Sequence, residues 1–313
     1  MAKIAFVFPG QGSQKPGMGK GWHDAFAVAR ETFAQADAAL REPLSQLCFE
    51  GPEARLQLTA NTQPAILAVS TAIARTLESA GYRPDVVAGH SLGEYSALVA
   101  ASALDFGDAL RLVRQRGELM QAAVPVGVGA MAAILGLDAE QVLAVAMAAS
   151  SGTELCAVAN YNSPEQTVIA GHQAAVERAM VLAKERGAKR ALPLPVSAPF
   201  HSPLMRPARE GLAPRLAATS FSAPSVPLVC NIDAEPVKDG AAAREALVRQ
   251  VDGPVRWVES VRFMVNELGV DRFVEVGPGA VLCGLIKRIS PEAKTLSLAE
   301  PESLAALGAF VAG

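Results

Sequence analysis

The chain has 313 residues, half of them hydrophobic, 19% charged and 5% aromatic, which suits a large Ala/Val/Leu-rich α/β core and excludes a disordered or fibrous chain. Twenty-eight basic against 31 acidic side chains leave a formal charge of −3, so the basic footprint of a nucleic-acid-binding protein is absent. The cysteines Cys48, Cys156, Cys230 and Cys283 form no Cys-x-x-Cys pair, which argues against a disulfide scaffold or a zinc site and for a reducing cytoplasm.

Lys3 to Phe8 reads as a buried first strand stopped by Pro9-Gly10; its apolar part is too short for a secretory signal. Helical patterns cover Gly21 to Leu40 and Gln63 to Ala80, the second ended by Gly81 as C-cap. Asp85 to Ala88 reads as a strand, Glu94 to Ala101 as a helix, and Phe106 to Val124 as an amphipathic helix broken by Pro125. The uncharged stretch Leu119 to Leu137 is interrupted by Gln, Pro and Gly, so a turn into a strand explains it better than a membrane span.

Beyond it the texture changes. Strands at Ala130 to Leu137, Leu155 to Asn160, Thr167 to Ala170 and Lys189 to Leu194, with helices at Ala139 to Ala149 and Gln173 to Gly187, give a β-α-β-β-α-β order, the ferredoxin-like signature. The fold class is therefore α/β, a large parallel-sheet domain (1–125 and 197–313) carrying a small inserted subdomain (126–196). Leu228 to Ile232 and Arg272 to Val276 resume the large domain as strands, with helices at Gly240 to Val251, Arg256 to Glu267 and Ala280 to Ile289.

Gly89-His90-Ser91-Leu92-Gly93 matches Gly-x-Ser-x-Gly between a strand and a helix, the pattern of a nucleophile elbow, although Ser91 as a plain helix cap fits as well. A serine hydroxyl needs a base. Of the four histidines, His23 lies in an early helix, His90 should point away from its neighbour, and His172 starts a helix of the insert. His201 sits in the Pro-rich loop Ser197 to Pro203, either as that base or as an ordinary surface histidine. Arg116 falls between Leu112, Val113, Leu119 and Met120 on an apolar helix face, opposite Arg114 and Glu118, so it needs an anion from the chain or from a ligand. Neither Gly10-Gln11-Gly12 nor Gly127-Val128-Gly129 completes a dinucleotide fingerprint; the first loop is a tight turn or half of an oxyanion hole.

Together, Gly10-Gln11-Gly12-Ser13-Gln14, Gly89 to Glu94, Gln115-Arg116-Gly117, Asn162-Ser163-Pro164, Phe200-His201-Ser202 and Glu275-Val276-Gly277-Pro278-Gly279 resemble the malonyl-CoA:acyl carrier protein transacylases of fatty acid synthesis, from about residue 3 to 298. The resemblance implies an α/β-hydrolase-like domain with a ferredoxin-like insert, Ser91 as nucleophile and His201 as base. It also implies that the backbone carbonyl of Gln250 replaces a triad acid, that the Gln11 and Leu92 amides form the oxyanion hole, and that Arg116 clamps the substrate carboxylate. Phe200 resembles the malonyl-selective pattern, and Pro199 departs from a commoner small residue and stiffens the loop.

The activity so implied is ping-pong transfer of malonyl from malonyl-CoA to the phosphopantetheine thiol of an acyl carrier protein, with coenzyme A as product and no metal or redox cofactor. A serine hydrolase and an inactive carrier-binding module are the other readings of the same residues. The implied enzyme is a cytoplasmic monomer with no nucleic acid or membrane partner. Its acidic carrier would need a local basic patch, for which Lys184, Arg186, Lys189, Arg190, Lys287 and Arg288 are candidates.

Overall fold

Along the first strand Ile4, Phe6 and Phe8 fall in one buried cluster and Ala5 and Val7 in another, so both of its faces are covered. Such a strand belongs inside a parallel sheet flanked by helices. The structure, a computed structural model, describes residues 2–196 and 198–312; Ser197 lies outside them. Its strands are β1 (Ile4–Phe8), β2 (Val86–Gly89), β3 (Gly129–Leu135), β4 (Cys156–Ser163), β5 (Gln166–His172), β6 (Arg190–Pro193), β7 (Leu228–Val229), β8 (Arg272–Glu275) and β9 (Lys294–Ser297). They form a parallel sheet in the order β7-β2-β1-β8-β9 and an antiparallel sheet in the order β4-β5-β3-β6.

The single early helix expected from Gly21 to Leu40 is two, α1 (Lys20–Ala25) and α2 (Ala27–Leu40), broken where Phe26 turns extended and stacks on Trp22. The break accompanies complete burial of Trp22, whose indole donates to Ala299 O at 3.1 Å. Short helices α3 (Leu44–Glu50) and α4 (Glu53–Leu56) precede α5 (Thr59–Ser79), which starts a turn before the expected Gln63. Gly81 ends it as expected: its φ is +86°, and the next amide, Tyr82 N, reaches back to Leu77 O at 2.9 Å. Then come α6 (Gly93–Ala100) directly after the elbow and α7 (Phe106–Ala122), whose N-cap Asp105 accepts from Asp108 N.

Within the insert α8 (Ala139–Ala149), opened by an Asp138/Gln141 capping box, and α9 (Gln173–Glu185) complete the ferredoxin-like unit. Alternation along its strands sets its orientation. Ala132, Ile134 and Ile169 pack on the insert's own helices, whereas Met131, Ala133, Val168 and Ala170 join the core of the large layer. The uncharged stretch between the two units is the end of α7, a turn, and β3; among the described residues no helix is long and apolar enough to cross a membrane.

Beyond the insert lie α10 (Arg206–Ala218), α11 (Gly240–Gln250), α12 (Trp257–Asn266), α13 (Val281–Ile289) and α14 (Leu304–Ala312). Strand β7 has two residues where five were expected, because the chain turns at Cys230–Glu235, closed by Cys230 N to Glu235 O at 3.0 Å. That early turn leaves Asn231 beneath the elbow.

Candidate active site

Ser91 sits between β2 and α6 with φ +52°, a left-handed conformation unusual for a side-chain-bearing residue. A Cβ on Gly89 would lie 1.9 Å from Gly93 O, and one on Gly93 would lie 2.0 Å from Phe8 O, so the flanking glycines are steric requirements of the turn. The α6 N-terminus follows directly, where partial positive charge favours a developing anion.

His201, also left-handed at φ +58° and only 4% exposed, brings Nε2 to 2.6 Å from Ser91 Oγ. Its Nδ1 faces two carbonyl oxygens, Gln250 O at 2.9 Å and Gly253 O at 3.2 Å. Two acceptors require the proton on Nδ1, so the lone pair of Nε2 is left to receive the serine proton. The carbonyl of Gln250 ends α11, where helix carbonyls lack internal partners and carry partial negative charge. Burial foremost, then the charge of Arg116, pushes the His201 pKa down to about 3, so the imidazole is neutral at ordinary pH.

Arg116 is 1% exposed on the apolar face of α7. Its Nη1 donates to Gln63 Oε1 at 2.8 Å, and its Nη2 donates to Gln250 Oε1 at 2.9 Å and Ser91 Oγ at 3.2 Å. Among the described residues no carboxylate lies within ion-pair distance of it, and its buried Nε has no partner. The acid behind it, Glu94, is buried, and desolvation raises its pKa to about 7. Arg114 is less exposed than its place opposite Arg116 suggested, because it turns inward to pair with Glu42.

A cavity of about 170 Å³ opens in front of these groups, walled by Gln11, Leu92 and Phe200 from the large layer and by Met131, Asn162 and Val168 from the insert. Among the described residues the backbone amides of Gln11 and Leu92 donate to no other group, while the Gln11 side chain is tied to Thr59 Oγ1 at 3.2 Å. His90 engages Asn162 Oδ1 at 2.8 Å and lies edge-on to Trp257. His23 and His172 stand elsewhere, in α1 and at the start of α9.

Among the residues of the site that escaped the sequence reading are Gln63, Asn231 and Gly253. Gln63 carried a legible signal, a polar residue in the apolar run leading to Val69; Asn231 carried none, because it reads as the inside of a strand. Of the basic candidates, Lys189, Arg190 and Arg288 line one groove of about 510 Å³ that begins at Ser163 and Pro164, next in the chain to cavity-lining Asn162.

A serine in a strand–turn–helix elbow, a buried histidine 2.6 Å from it and an uncompensated guanidinium meet at one cavity, and the family profile described as "Acyl transferase domain" matches residues 5–301: the chain belongs to that family, and the protein is an acyltransferase. It is 50% identical over 307 residues to the malonyl CoA-acyl carrier protein transacylase of Escherichia coli K12, covering 98% of this chain and 99% of that one. The protein of that description from Bacillus subtilis is 49% identical, covering 97% and 96%. Among solved structures, an acyl-carrier-protein S-malonyltransferase from Burkholderia pseudomallei superposes with a TM-score of 0.94 at 53% identity, covering 97% and 99%. A malonyl-transacylase in complex with its type II PKS acyl-carrier protein does so with 0.96 at 47%, covering all of both chains.

Proposed function

We propose that this protein moves malonyl groups from malonyl-CoA to the phosphopantetheine thiol of an acyl carrier protein, supplying extender units for fatty acid synthesis. One observation carries the reading: a buried guanidinium, held by two neutral amides, stands 3.2 Å from the nucleophile candidate with no acid among the described residues paired to it. A malonyl carboxylate supplies the missing anion and can take the planar fork through two parallel hydrogen bonds.

In this mechanism the Ser91 hydroxyl gives its proton to His201 Nε2 and attacks the thioester carbonyl. Negative charge gathers on the carbonyl oxygen, toward the free amides of Gln11 and Leu92. The tetrahedral intermediate collapses to a malonyl-serine ester, and His201 returns the proton to the departing coenzyme A thiolate. The carrier thiol then repeats the steps in reverse order. The imidazolium formed in between is stabilised by the Gln250 and Gly253 carbonyls, the place a triad carboxylate would otherwise take.

No metal or redox cofactor takes part in this scheme, and we place the protein in the cytoplasm as a monomer with neither nucleic acid nor membrane partners. Phe200 lines the cavity, and in this reading its ring limits the room to a small acyl group. Mass spectrometry after mixing with malonyl-CoA alone tests the proposal: one malonyl group should persist on Ser91 and pass to holo-carrier on its addition, and Ser91→Ala should carry none. Turnover to free malonate without carrier would point to a hydrolase, and no adduct to a binding module.

A further inference from the structure

We propose that Asn231 is a positioning residue for the nucleophile, the brace that keeps Ser91 in its left-handed turn; this rests on Ser91 acting as nucleophile. The side-chain Oδ1 accepts the Ser91 backbone N–H at 2.7 Å, and Nδ2 donates to Gly89 O at 2.6 Å. One amide thus grips the peptide on both sides of His90. The backbone of Asn231 is fixed as firmly: its N–H donates to Glu94 Oε2 at 2.9 Å, and its carbonyl accepts from Arg256 N at 3.0 Å. Gln250 Nε2 completes the arrangement, donating to Ser91 O at 3.0 Å and to Glu94 Oε2 at 2.9 Å.

Asn231 has no exposed surface, so bulk solvent does not compete for its amide in the folded protein. Left-handed backbone is unfavourable for serine and persists only where the surroundings over-determine it. Here the over-determination comes from a residue that touches neither the serine hydroxyl nor the cavity. Only an asparagine fits. Aspartate would keep the acceptor but present a second oxygen to Gly89 O, and glutamine is one methylene too long for the gap.

The test compares the parent protein with Asn231→Ala and Asn231→Asp in three measurements: single-turnover acylation of Ser91 at saturating malonyl-CoA, the half-saturating malonyl-CoA concentration, and thermal melting. Both variants should acylate about 10²-fold more slowly, the usual effect of a small misplacement of a reacting atom. Half-saturation should move by less than about threefold, because Gln63 and Gln250, which hold Arg116, remain in place. Labelling with a fluorophosphonate, which does not use Arg116, should slow in parallel. A folded variant that acylates within about threefold of the parent would overturn the proposal, as would loss of folding in both variants, which would make Asn231 scaffold alone. A parent that is never labelled at Ser91 would instead remove the reading beneath it, and that control precedes any variant.

Discussion

Arg116 is buried with its hydrogen bonds largely met and its charge unmet, because Gln63 and Gln250 offer amide oxygens where carboxylates would have cancelled it. Acetyl-CoA would leave that cation stranded, at a cost of about 3–5 kcal/mol or roughly 10²-fold to 5 × 10³-fold in rate. Arg116→Ala should therefore cut malonyl transfer by about that factor and preserve acetyl transfer. Gln63→Glu, which builds a fixed counter-ion, should likewise depress malonyl transfer selectively; equal loss with both acyl-CoAs would contradict the argument. Removing the arginine orphans two amide oxygens but also removes a desolvated charge, so unfolding free energy should change by no more than about 2 kcal/mol. His201 adds a pH signature. Its native pKa lies far below the ordinary value, so as pH falls the unfolded chain takes up the proton first. Its contribution to stability is complete above about pH 6.5 and is lost progressively toward pH 3. Glu94, raised to about 7, acts with opposite sign between pH 4.5 and 7, so the useful comparison is a variant against its parent. Melting temperature should fall less steeply from pH 6.5 to 4 in His201→Ala than in the parent.

Among the elements, β3 shows what a sequence can and cannot disclose. Gly127 and Gly129 are legible as a turn before a strand, and the strand is there. Why Gly129 must be glycine is not legible, because the reason arrives seventy residues later: a Cβ there would lie 2.4 Å from Pro199 Cδ. Pro199 thus seats the His201 loop against the first strand of the insert. Gly129→Ala should destabilise the protein by about 1–3 kcal/mol through overpacking, and Pro199→Ala in the same chain should restore most of it. Additive losses in chemical denaturation would disprove the contact. Helix α7, with its amphipathic run, and α8 were readable nearly to the residue. By contrast α10 escaped notice, since Pro207 and Pro214 and scattered charges mask its period, and β9 is only a four-residue edge.

For the molecule as a whole, short apolar runs alternating with helical patterns made the parallel sheet and the ferredoxin-like insert legible, while the Gly-x-Ser-x-Gly motif, the Pro-rich loop and a charge on an apolar helix face pointed to Ser91, His201 and Arg116. What patterning could not convey is side-chain satisfaction at long range, the business of Gln63 and Asn231. Carrier recognition belongs to this scale too. The groove bearing Lys189, Arg190 and Arg288 joins the insert to α13, and Lys189 is already engaged by Glu165 at 3.0 Å. Charge reversal at Lys189 and Arg190 together should raise the KM for an acidic carrier by about tenfold at low salt and far less at high salt, with the KM for malonyl-CoA unchanged. Unaltered carrier kinetics would clear this groove of any docking role. Finally, the contact between Ser91 and His201 closes a loop of 110 residues that contains the entire insert. Contacts so distant in the chain form late, after the intervening unit has found its place. A chain that ends short of His201 lacks the imidazole, and one that ends short of Asn231 and Gln250 lacks the groups that hold the turn and the imidazole, so the serine, its neighbour and their supports are assembled only when residues from both sides of the insert have met.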